Sequence, residues 1–132
     1  GGFRNGFEGS QDYDLWLRIA AFHRIRLVPR VLAYYRKHGD ANATSNQARV
    51  ARYNLLVKRR FLDDFPQLRR QIGWRRRRAY LAGGVVDRGY RCLWGGDLAG
   101  AHGIFRHALL QGVVGPRDLK VAMAALVERL RA

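Results

Sequence analysis

A chain of 132 residues, 48% of them hydrophobic, is long enough for one domain with a modest core, or for part of a larger one, and too apolar for extensive disorder. No run approaches the roughly 18 apolar residues of a membrane span, and the single cysteine, Cys92, excludes an internal disulfide framework and a cysteine-rich zinc site. The formal net charge is +15, and 22 of the 25 basic residues are arginine. Such a surface attracts nucleic acid, anionic lipid or phosphorylated ligands, although arginine enrichment also follows from genome composition. The opening "GGFRNGFEG" has no signal-peptide pattern. It reads as the middle of a domain, so we expect the chain to be a fragment.

Two regimes follow in chain order. Residues 1 to about 45 mix glycine, aromatic and β-branched residues. Gly1, Gly2, Gly6 and Gly9 predict a loop, with Ser10 as the N-cap of a helix over 11–23 whose apolar positions are Leu15, Trp16, Ile19 and Ala20. "IRLVP", ending at Pro29, and "RVLAYYR" predict two short strands, and "KHGDANATSN" a polar loop. From about residue 46 the sequence reads as helical throughout. Ser45 or Asn46 caps a helix to about Phe61, with a break and restart at Asp63, Asp64 and Pro66. A helix over 74–94 ends at Gly95-Gly96, Asp97 caps the next to about Gln111, and Pro116 opens a last one over 117–131. Gly89, Gly96-Asp97, Ala101, Phe105 and Ala108 match the spacing of a tetratricopeptide-like hairpin at about 85–111. Only one copy is found, whereas stacked repeats need about three.

Within the first regime one ordered set of residues carries chemistry: Gly1, Gly2 and Phe3, then Asp12, Asp14, Leu15, Trp16 and Arg18, then Tyr35, Arg36, His38 and Ser45. The set resembles the C-terminal half of the catalytic domain in family 2 glycosyltransferases of the GT-A type. It covers about a third of the chain. The resemblance implies an α/β fragment over 1–45, a helix plus short strands, followed by an all-α basic extension over 46–132. It further implies inverting transfer of a sugar from a nucleotide-sugar donor to a glycan or lipid-linked acceptor. Asp12 is then the general base, at a first-turn position where the helix dipole favours a carboxylate. Trp16, Arg36 and His38 are the expected substrate contacts, and His38 is also a candidate ligand for a divalent metal, Mn2+ or Mg2+. Asp14 and Arg18, at i and i+4, are placed to pair on the helix.

The chain departs from the family pattern at two places. Gln11 replaces the glutamate that precedes the base, and Arg4-Asn5 replaces an Asp-Glu pair. No Asp-x-Asp metal motif precedes Asp12, so most of the donor site lies outside the chain, the metal is held mainly by residues not present, and the chain alone is not expected to transfer sugar. His23, His102 and His107 have no partner pattern and read as structural. Arg75–Arg78 covers every face of a helical turn, so part of it meets solvent or a partner. A basic helical adaptor, binding an anionic partner or an anionic membrane surface, is the alternative function. Nucleic acid is disfavoured, because no helix-turn-helix, zinc-finger or RNA-recognition signature is present. The expected location is the cytoplasm, with peripheral contact to the membrane.

Overall fold

The computed structural model describes residues 2–7, 9–34 and 46–115, with Asp118, Lys120, Met123, Ala124 and Val127 beyond them. Among these residues there are five helices: α1 (Gln11–Phe22), α2 (Gln47–Asp64), α3 (Pro66–Gln71), α4 (Trp74–Trp94) and α5 (Leu98–Leu110). The five single residues after 115 are helical; the rest of the last expected helix lies outside the described residues.

Local chemistry sets the boundaries. The Asn46 side chain accepts a hydrogen bond from the Arg49 N–H at 2.8 Å and caps α2. Pro66 opens α3, where its fixed φ suits the first turn and its missing N–H is not needed. Gly96, at φ +82°, takes the left-handed conformation that lets α4 turn back toward α5. Asp97 Oδ1 then accepts from the Gly100 N–H at 2.8 Å and caps α5. Ser10 differs from expectation. Its carbonyl accepts from the Asp14 N–H, but its hydroxyl makes no cap bond and instead donates to Asn54 Oδ1 of α2 at 3.0 Å.

The expected α/β region is corrected by the structure, which is all-α among the described residues. "IRLVP", and "RVLAYYR" as far as Tyr34, form irregular chain rather than strands. A strand exists only by pairing its backbone with a neighbour. The backbone bond found in this segment, from the Arg30 N–H to the Val28 carbonyl at 2.9 Å, is a local turn about Pro29. Its side chains meet solvent: Leu27 is 91% exposed and Tyr34 96%. Residues 35–45 lie outside the described residues.

The core forms where α2, α4 and α5 meet, from Ala51, Leu55, Val85, Cys92, Ala101, Ile104, Phe105 and Ala108, closed by Val113 and Val114. Phe105 is its largest fully buried side chain. Gly89 makes room for it, since a Cβ there would lie 2.9 Å from Phe105 Cζ. Tyr90 meets the same ring edge-on, with centroids 5.4 Å apart. Burial, with Asp97 nearby, pushes the Cys92 thiol up, so it stays protonated. Several of the basic residues serve packing. Lys58 Nζ donates to the Tyr80 carbonyl at 2.7 Å, Arg59 to the Gln111 carbonyl and Arg78 to the Val114 carbonyl. The two arginines thus tie the segment after α5 back to α2 and α4.

Helix α1 packs against α2, outside this core. It does not bury the apolar stripe that its sequence suggests. Trp16 is 59% exposed, and Ile19 and Ala20 are exposed too, while the fully buried residue of α1 is Asp14. Arg4, which lies between Asp14 of α1 and Asp64 of α2, and the Ser10–Asn54 bond, together with an edge contact between the Phe22 and Phe65 rings, dock this helix.

Candidate active site

The loop before α1 and the first turn of α1 enclose an open cleft of about 520 Å³, lined by Phe3, Arg4, Asn5, Gly9, Gln11 and Asp12. Gly6 and Gly9 sit at φ +88° and +81°, which lets the loop double back over the helix N-terminus. Phe7 and Ser10 are buried beneath it and pin it in place. The Ser10 N–H donates to the Phe7 carbonyl at 2.7 Å, and the Gly9 N–H to Gln11 Oε1 at 3.0 Å. The amide of Gln11 is therefore engaged in shaping the loop.

The two carboxylates of α1 occupy opposite environments. Asp12 is exposed at the cleft, where its Oδ1 accepts from the Tyr13 N–H at 2.7 Å. Asp14 is only 1% exposed. It accepts from Arg18 Nε at 3.0 Å and pairs with Arg18 Nη2 at 2.9 Å, and Arg4 Nη1 lies 3.7 Å away. Arg18 also donates to the Gly2 carbonyl at 2.8 Å. Arg4 reaches Asp64 at the end of α2, and that hydrogen bond holds its guanidinium pKa above the usual value. Arg4 thereby links the cleft loop to both α1 and α2. The buried Asp14 is held by Arg18 and Arg4, and the exposed Asp12 is the carboxylate that can meet a ligand.

Of the residues expected at the site, Asp12 lines the cleft. Trp16 stands one turn further on, exposed and outside the lining. Arg36 and His38 lie outside the described residues. Among the described residues no three His, Cys, Asp or Glu side chains come together as a metal site. With Asp12 as its one carboxylate and Arg4 beside it, the described lining of the cleft does not by itself fit the divalent ion that the resemblance implies. No described helix is long and apolar enough to cross a membrane. Sequence reasoning missed the supports, Arg4, Asn54 and Asp64, because each acts across a distance in sequence that only folding closes. The i, i+4 spacing of Asp14 and Arg18 was the one visible signal.

Comparison of the chain with protein-family models, curated proteins and solved structures gave no match.

Proposed function

We propose that this chain is the C-terminal part of an inverting glycosyltransferase. The observation that carries the reading is the division of labour between two neighbouring carboxylates. Asp14 is buried between Arg18 and Arg4, and Asp12 opens onto the cleft with the loop of Gly2 and Phe3 folded beside it. Rigid support behind one free carboxylate is what a general base needs, because reach and orientation limit proton transfer before pKa does.

In the reaction the acceptor hydroxyl oxygen attacks the anomeric carbon of the donor sugar. The bond from that carbon to the nucleoside diphosphate breaks, the diphosphate leaves with the electron pair, and the hydroxyl proton passes to the Asp12 carboxylate. Phe3, 68% exposed on the cleft wall, offers an aromatic face to a sugar ring. Arg36 and His38 would contact the donor diphosphate. On this reading the enzyme works in the cytoplasm, against the membrane face when the acceptor is lipid-linked.

The test is sugar transfer from a nucleotide-sugar panel by the complete gene product carrying this chain, as wild type and as Asp12→Asn. General-base catalysis contributes about 100- to 10,000-fold, so the variant should lose transfer by that factor while its circular dichroism and donor affinity stay unchanged. Undiminished transfer by Asp12→Asn overturns the role given to Asp12.

A further inference from the structure

A second concavity lies between α2 and α5, on residues the transferase reading does not use. Its volume is about 410 Å³, and it is lined by Arg49, Arg52, Tyr53, Arg106, His107 and Leu110, with Asn46, Ala48 and Gly103 completing it. Ala48 and Gly103 belong to its lining from opposite helices. A Cβ on Gly103 would lie 3.6 Å from that of Ala48, an ordinary contact distance, so the two helices run close together there. Among the described residues the lining holds three arginines and a histidine and no carboxylate. Neither Arg52 nor Arg106 has an ion pair among the described residues, and both are exposed. The ion pairs found among the described residues lie elsewhere: Asp14 with Arg4 and Arg18, Asp63 with Arg69, and Asp64 with Arg4 and Arg60.

Like charges such as Arg52 and Arg106 on one groove repel each other, and an anion bound between them relieves that repulsion. The guanidinium fork suits phosphate oxygens, which it can bind two at a time. The groove is also larger than one phosphate requires, and Tyr53 and Leu110 give it an aromatic and an apolar wall for an organic portion. We propose that this groove binds a phosphate-ester group, held between Arg52 of α2 and Arg106 of α5. Burial first, and then the cations Arg52 and Arg59, keep the His107 imidazole below the ordinary histidine pKa. The phosphate ester can be a free metabolite or a lipid headgroup, and the two sources are separable by experiment.

The test uses the full chain titrated with glycerol 3-phosphate, followed by the His107 ring resonances in NMR, and with phosphatidylcholine vesicles with and without phosphatidic acid, followed by co-sedimentation. Arg52→Ala with Arg106→Ala is compared with Arg75→Ala with Arg76→Ala, which removes the same charge from exposed positions of α4. Saturable glycerol 3-phosphate binding that moves the His107 signals supports the site, and the groove pair should lose about tenfold or more in affinity where the α4 pair loses less than about twofold. Vesicle binding with the same selective loss adds the lipid headgroup as a source. Absence of saturable binding in both arms overturns the proposal. Equal loss in the two pairs also overturns it, since it would mark a diffuse basic surface.

Discussion

Replacing Asp14 by Asn keeps the shape of the side chain and removes its charge, which isolates what the buried carboxylate does. In the native protein its Oδ2 meets Arg18 through Nε at 3.0 Å and Nη2 at 2.9 Å, and its Oδ1 lies 3.7 Å from Arg4 Nη1. The amide keeps one acceptor and points N–H groups at a guanidinium. Breaking a buried ion pair from one side costs about 3–5 kcal/mol, because the remaining charge is stranded. Arg18 is not fully stranded, however. Its side chain is 15% exposed and keeps the Gly2 carbonyl, and Arg4 keeps Asp64. The expected loss is therefore about 2–4 kcal/mol, a fall in Tm on the order of 10 °C for a domain of this size. Asp12→Asn, two residues away, should cost no more than about 0.3–1 kcal/mol, the helix-dipole contribution of a first-turn carboxylate, since its side chain is exposed and bonds only to the neighbouring Tyr13 N–H among the described residues. Thermal and urea unfolding followed by circular dichroism measure both. A double-mutant cycle of Asp14→Asn with Arg18→Met should show coupling above about 1 kcal/mol. Equal Tm for the two asparagine variants, or no coupling in the cycle, would refute the assignment of support to Asp14 and exposure to Asp12.

Two further outcomes follow from the core and the basic groove. At Gly89, alanine gains about 1 kcal/mol of helix propensity but forces its Cβ to 2.9 Å from the Phe105 ring, which Tyr90 and the core hold in place; overpacking costs about 1–3 kcal/mol, so Gly89→Ala should destabilise. Gly83→Ala on the same helix meets no atom within 4 Å and should stabilise by up to about 1 kcal/mol, a contrast read by urea midpoints. His107 has a folded pKa below its ordinary 6.5, so as pH falls below 6.5 the unfolded chain takes up the proton first and stability drops until the folded pKa is passed. The drop should be smaller in His107→Gln when urea midpoints are compared between about pH 7.5 and 5, and an unchanged pH profile would refute it.

Much of the helical half was legible because helix ends obey short-range rules. Asn46, Pro66, Gly96 and Asp97 act within a few residues of where they stand, and the bounds of α4 could be read from the sequence for that reason. The strands expected before residue 35 were read from an alternation that is real, but a strand also needs a partner backbone, and residues 24–34 have none among the described residues. The apolar spacing of α1 misled in a related way. A helical stripe shows what a helix could bury, whereas the contacts with α2 decided that Asp14 would be buried and Trp16 exposed.

By itself, then, the sequence determined the helices from residue 46 to 111, their caps, the strong positive charge and the presence of two carboxylates in the first turn of α1. Tertiary structure decided which of those carboxylates is exposed, which arginines tie down backbone carbonyls, and which line the groove between α2 and α5. Arg4, Asp14 and Asp64, or Arg52 and Arg106, are far apart along the chain. Their meeting depends on how helices pack, and burial and pairing are properties of that packing rather than of any local run of residues.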